Sequence, residues 1–429
     1  MMIRPVFDHA FDPELAQLQW EKLAPYLSKS LLSQPGLKPF LSLLGNSRIL
    51  MDQILNSLDP ALLMNQLFSS PSWTQSKSRN EFLNELASFS KNDSIETFKH
   101  SLRAYKYREM IRIAAKDLSG IVPFEEIGRE WAELAAACIE TSLKKILGKN
   151  ENKFCFTVLG LGKLGGYDLN ISSDVDLLYI HADKAENGNA LSRIAVQLTE
   201  ILQERTSDGI VFRVDLDLRP EGRSGILVNP VEAMVQYYEI AGAPWERAAL
   251  SKARVVAGHA PGGAELLNQL EPFIFPRSIS GDTIGALKEM KEKINREISR
   301  SQPKGYHLKS GRGGIREIEF FVTAFQLIYG GKDASLRETH TLTALRKLAT
   351  AGLVPRDEAI RLEEAYILFR RLENRLQVME ERQTHTLPPE PKELAGLARS
   401  TGYANTERLL EDLKHKTQFV ADCFERLAS

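Results

Sequence analysis

Two aspartates one residue apart, Asp174 and Asp176, open the apolar run at 175–180, and a third, Asp215, stands in the alternating segment 210–218. Side chains alternate along a strand, so Asp174 and Asp176 point to the same face. A third acid on a neighbouring strand completes a set of hard oxygen donors. Such donors suit one or two Mg²⁺, which keep carboxylates, waters and phosphate oxygens around them. The reaction class this implies is phosphoryl or nucleotidyl transfer at a two-metal site. Asp217 shares the face of Asp215 and is an alternative third donor, with an ion pair to Arg213 or Arg219 as its favoured role.

The acids follow the run GLGKLGG. Gly160, Gly162, Gly165 and Gly166 let the backbone approach a phosphate with its amides turned inward, and Lys163 adds a positive charge. This is not a Walker loop, because the four-residue gap and the following Lys-Ser/Thr are missing. Ser172 and Ser173 are candidates for phosphate contacts or for capping a turn. Arg219 and Arg223, in the turn RPEGRSG, carry guanidinium forks that suit phosphate; the alternative is local pairing with Asp217 or Glu221. Lys309 and Arg312 precede Gly313-Gly314 at the start of the helix IREIEF, an arrangement that attracts anions. Glu317 and Glu319 on that helix do not share a face, so one of them reaches towards the metal region. The histidines show no metal-ligand spacing, His307 and His385 read as surface or linking residues, and Trp245 reads as core.

These residues need elements to hold them. Residues 1–148 read as helical, with Asp12-Pro13 as a helix start and breaks at Gln34-Pro35-Gly36 and Ser70-Pro71. Between 149 and 262 the pattern becomes mixed. FCFTVLG, 175–180 and 210–218 read as strands, and Asn229-Pro230 caps the helix that follows, with Pro230 at its first position. From 280 to 429 long amphipathic helices form an antiparallel bundle. The result is a predominantly helical α+β chain in which the N-terminal helices pack on the central catalytic domain, because their apolar stripes need a partner.

Composition sets outer limits. The 429 residues are 43% hydrophobic and 26% charged, enough for two to three packed domains. A net charge of −1 argues against a nonspecific nucleic-acid binder. Three scattered cysteines fit a reduced, cytoplasmic setting and supply no zinc site. The first residues lack the apolar core of a signal peptide, and no run approaches the ~20 apolar residues of a membrane span.

Several stretches, taken in order, carry a resemblance. REMIRIAAKDL, GLGKLGGYDLNISSDVDLLYI, FRVDLDLRPEGRSGILVNP, PWERAALSKARVVAG, LKSGRGGIREIEFF and LENRLQVMEERQTHTLP resemble the bifunctional glutamine synthetase adenylyltransferase/adenylyl-removing enzyme family. The resemblance runs over nearly the whole chain. It implies one of two homologous halves, each a polymerase-β-like nucleotidyltransferase domain followed by a helical bundle. Asp168-Leu169-Asn170 and GGIREIEF resemble the N-terminal, adenylyl-removing half. By this resemblance Asp174, Asp176 and Asp215 hold Mg²⁺. Gly162 and Lys163 stand where many nucleotidyltransferases carry Gly-Ser, and Asp217 stands where many members carry Arg.

The implied reaction is phosphorolysis: phosphate attacks the AMP phosphorus of an adenylyl-tyrosine on glutamine synthetase and the tyrosyl oxygen leaves, giving ADP and the unmodified enzyme. Arg219, Arg223 or Lys309 would hold the incoming phosphate. The implied partners are glutamine synthetase, ADP or ATP, phosphate and a PII-type signal protein, with neither nucleic acid nor membrane expected. One alternative is forward adenylylation of the tyrosine from ATP. Another is a catalytically silent module that docks glutamine synthetase or a PII-type protein; the intact acids count against it.

Overall fold

A computed structural model describes residues 7–27, 31, 34–57, 59–69, 73–89, 94–182, 188–277, 281–300 and 305–427; the expected break at Ser70-Pro71 lies outside them. The chain opens on helices α1 (Pro13–Leu23), α2 (Leu37–Leu41), α3 (Arg48–Leu55), α4 (Pro60–Ser69), α5 (Arg79–Leu86), α6 (Ile95–Ser119) and α7 (Phe124–Leu147). Asp12 starts α1 by accepting the amide of Leu15 at 3.0 Å, with Pro13 behind it needing no partner. Gly148 ends α7 with a φ of 52°, a conformation that favours glycine.

A small mixed sheet follows. Strand β1 (Phe156–Gly160) leads through α8 (Gly162–Gly165) to β2 (Val175–His181). Then come α9 (Gly188–Gln203), β3 (Val214–Asp215), β4 (Val228–Pro230), α10 (Val231–Ala241), α11 (Pro244–Leu250), β5 (Arg254–Gly258) and α12 (Ala260–Ile274). The sheet order is β3-β2-β1-β5, with β4 also on β2. β1 runs antiparallel to β2 and β5, while β3 and β4 run parallel to β2. Both faces are covered. Val158, Leu177 and Tyr179 join a core shared with α7 and α9, whereas Leu159, Leu178 and Ile180 join one shared with α10 and α12. That alternation is what a strand buried on both sides requires.

The last part is helical: α13 (Gly281–Arg300), α14 (Ile315–Tyr329), α15 (Thr341–Thr350), α16 (Arg356–Glu380), α17 (Pro391–Ser400) and α18 (Thr406–Arg426). Ile318, Leu345, Phe369 and Leu409 belong to its core. The molecule is thus predominantly helical with one small sheet, the expected fold class.

Two local expectations need correction. The strand predicted over 210–218 pairs only at Val214–Asp215. Past it, the Asp215 carboxylate accepts the amide of Asp217 at 2.8 Å, and this side-chain turn takes the backbone out of the ladder. Before it, the amide of Phe212 donates to Leu202 O at the end of α9. Asn229 does not cap α10: β4 keeps pairing through Pro230, which occupies the cap, and the Asn229 side-chain Nδ2 donates to Ile226 O at 3.0 Å.

Candidate active site

Val175 at the start of β2 is buried, so Asp174 and Asp176 turn to the opposite side. They look into a cavity of about 490 Å³. Asp215 reaches the same cavity, because β3 lies parallel to β2 with Asp215 opposite Asp176. Gly162, Lys163 and Ser173 line it from the glycine-rich turn and the loop before β2, and Lys309, Arg316 and Glu319 line it from the C-terminal region. The rest of the wall has an apolar flank of Ala248 on α11, Met290 and Ile294 on α13, and Phe320 on α14, together with the polar side chains of Lys252, Thr323 and Gln383.

The acids are unequal. Burial, and then the neighbouring Asp215, push the Asp176 carboxyl up to about 7. Asp174 instead accepts from Arg213 Nε at 2.5 Å, and the same guanidinium donates to Ser172 O. Asp215 is engaged with the amide of Asp217. Among the described residues no three His, Cys, Asp or Glu side chains are drawn into a closed metal-holding cluster. The cavity therefore has an anionic wall of hard oxygens facing cations, with an apolar flank. Such a surface can take a phosphate on one side and a ring on the other.

The turn ahead of the acids is tied down from the far end of the chain. Gly162 has a φ of 52°, and a Cβ there would run into the Asp176 carboxylate. Lys163 Nζ lies 3.2 Å from Glu373 Oε2 on α16. Burial pulls the Lys163 ammonium down to about 8, against the pull of Glu373. Asp168 accepts from Thr341 Oγ1 at 3.0 Å and lies 3.4 Å from His340 Nε2. Arg370 donates to Asp168 O and to Asn170 Oδ1.

His307 and His385, read from sequence as surface or linking residues, lie with their ring centroids 5.5 Å apart and tilted by 30°, and His385 Nδ1 bonds Glu373 Oε1. Glu373 and Arg370 are not singled out by the sequence, and nothing in it points to His385 as the partner of Glu373. Their partners are remote in sequence, and the only local trace was the triplet Asp168-Leu169-Asn170.

Other candidates lie elsewhere. Arg219 donates to Leu216 O, Arg223 O and Gly225 O, bracing its own turn. Arg223 pairs with Asp217 at 3.0 Å. Neither arginine lines the cavity. Ser172 Oγ is buried with no partner among the described residues. Of the two glutamates on α14, Glu319 is the one in the cavity. Glu317 is buried away from it, and burial pushes its carboxyl up to about 7. Trp245 is not core: it is 40% exposed, while its neighbour Glu246 is buried and accepts the amide of Ala243 at 2.7 Å.

Residues 37–269 match the family described as glutamate-ammonia ligase adenylyltransferase. Residues 288–428 match the GlnD PII-uridylyltransferase family. Curated relatives named bifunctional glutamine synthetase adenylyltransferase/adenylyl-removing enzyme include one from Nitrosococcus oceani, 38% identical over 81% of this chain. Others come from Thioalkalivibrio sulfidiphilus, 39% identical over 76%, and Burkholderia mallei, 36% identical over 78%. The matched stretches amount to 38%, 36% and 39% of the lengths of those three relatives. Among the described residues no helix is long and apolar enough to cross a membrane. The chain belongs to the glutamate-ammonia ligase adenylyltransferase family.

Proposed function

We propose that this member of the family is a nucleotidyltransferase that removes AMP from adenylyl-tyrosine on glutamine synthetase by phosphorolysis. The observation that carries this is the single cavity in which Asp174, Asp176 and Asp215 face Lys163 and Lys309. A phosphate oxygen forms a bond to the AMP phosphorus, the bond from phosphorus to the tyrosyl oxygen breaks, and the phenolate takes up a proton. The products are ADP and unmodified tyrosine.

Mg²⁺ fits the donor set. The three carboxylates are hard oxygens, and Asp176 and Asp215 repel each other in a way that a divalent cation relieves. Arg213 would release Asp174 to join them. When bound, Mg²⁺ would neutralise charge on the transferring group and steady the leaving phenolate. Lys309 holds the incoming phosphate, and Lys163 and Ser173 hold the transferring group. The apolar flank of Met290, Ile294 and Phe320 takes a ring of the substrate.

Forward adenylylation from ATP is the second reading. The name carried by the relatives covers both directions, and the same acids serve either. Removal is preferred on the likeness of Asp168-Leu169-Asn170 and GGIREIEF to the adenylyl-removing half. The helical region 288–428 is the proposed contact for a PII-type protein, supported by its match to a PII-modifying family. The three cysteines form no disulfide, which suits a reducing cytoplasm. Product analysis tests the proposal: ADP should form from adenylylated glutamine synthetase only when inorganic phosphate is supplied.

A further inference from the structure

Helix α16 brings a carboxylate to the back of the cavity that the proposed chemistry does not touch. Glu373 is fully buried. Its Oε2 lies 3.2 Å from Lys163 Nζ and accepts from Asn170 Nδ2, while its Oε1 bonds His385 Nδ1. Arg370, one turn earlier, has Nε 3.4 Å from Glu373 Oε2. A buried charge is costly unless it is paired, and here, apart from Arg370 on the same helix, which itself donates to Asp168 O and Asn170 Oδ1, the pairings lead to the loop ahead of the acids and to the segment after α16. That segment is in turn bound to the strand-like stretch before α14. Leu308 N donates to His385 O at 2.7 Å, and Leu387 N donates to Tyr306 O at 2.9 Å. The stretch so held carries Lys309 into the cavity.

Among the charged groups acting on Lys163, Arg370 and Lys309 repel it, and Glu319 and Glu373 attract it. Of these, Glu373 is in contact with the ammonium. Burial alone would raise the Glu373 carboxyl; Lys163, the His385 hydrogen bond and Arg370 outweigh it and hold the group well below the usual carboxylate range.

We propose that Glu373 is a positioning residue that holds the Lys163 ammonium in the cavity, aimed at the phosphates of a bound nucleotide. This rests on the reading of the cavity as a nucleotide site. It assigns helix α16 a part in nucleotide binding without direct contact to the ligand.

The test is a double-mutant cycle on the full chain, with ADP in the presence of Mg²⁺ as the probe and calorimetry as the readout. Lys163→Met and Glu373→Gln should each weaken ADP binding about tenfold, the size of one lost charge-assisted hydrogen bond. The double variant should bind no more weakly than Lys163→Met, because Glu373 acts through that lysine. A merely structural role would instead give additive losses of about 100-fold. Glu373→Asp is the second variant should Glu373→Gln not fold. It keeps the buried charge beside Arg370 and His385 but draws back from Lys163, and the same pattern is expected.

Weak binding by Lys163→Met together with wild-type binding by both Glu373 variants would overturn the positioning role alone. Additive losses would do the same. A wild-type chain that binds no ADP, or a Lys163→Met chain that binds it as well as wild type, would overturn the reading of the cavity and the inference with it.

Discussion

Asp176 and Asp215 sit opposite each other in the parallel β2–β3 ladder. Two adjacent strands thereby bring two carboxylates from either side of α9 to one wall of a cavity. The pair is unfavourable by itself, and it is the kind of unfavourable pair that a cation-dependent site uses.

The approach to that pair depends on one glycine. Gly162 has a φ of 52°, and a Cβ there would meet the Asp176 carboxylate. Gly162→Ala should therefore lose activity by more than about tenfold, with a stability loss of about 1–2 kcal/mol from the left-handed backbone. Steady-state rates and urea denaturation measure the two effects separately. Unchanged activity would show that Asp176 has room to move.

Anion binding should follow the cavity and not the arginine-rich turn. Lys309→Ala is expected to raise the KM for phosphate about tenfold. Arg223→Ala should change it little, since that side chain is 86% exposed and paired with Asp217 outside the cavity. The reverse result would return the turn RPEGRSG to the site.

The difference between these residues marks what the sequence can disclose. Asp174, Asp176 and the glycine turn fall in one short run, and period-two alternation is enough to put the two acids on one face. Asp12-Pro13 and Gly148 mark helix ends by local rules, and the helices obey them. Glu373 and Arg370 look like part of the charged face of a long amphipathic helix. Their meaning lies in Lys163, Asp168 and Asn170, on a loop about 200 residues earlier. Trp245 fails for another reason: α11 is short and buries Glu246 and Leu250, leaving its aromatic outside. The strand at 210–218 has the right alternation, but one hydrogen bond donated by the Asp217 backbone N–H to the Asp215 carboxylate ends the pairing, and periodicity does not register it.

Glu317 makes a prediction about pH. It is buried, its Oε2 has no hydrogen-bond partner among the described residues, and burial raises its carboxyl from 4.5 to about 7. A raised carboxyl costs stability once the unfolded chain has lost its proton: the penalty starts near pH 4.5, grows to about 7 and is flat above. Glu317→Gln should therefore be more stable than wild type by about 1–3 kcal/mol near pH 8 and show no gain near pH 4. Urea denaturation at both values checks it. Destabilisation near pH 8 would mean that the charged form is paired.

The central claim is that this cavity carries out phosphorolysis with its three aspartates. The most direct measurement incubates the chain with adenylylated glutamine synthetase, Mg²⁺ and inorganic phosphate, and follows ADP. The account predicts ADP that requires phosphate and that disappears in a folded Asp176→Asn variant. Label incorporated from ATP into unmodified glutamine synthetase, with no ADP from the modified form, would contradict it and establish the forward reaction. ADP formation undiminished in Asp176→Asn would contradict the site itself.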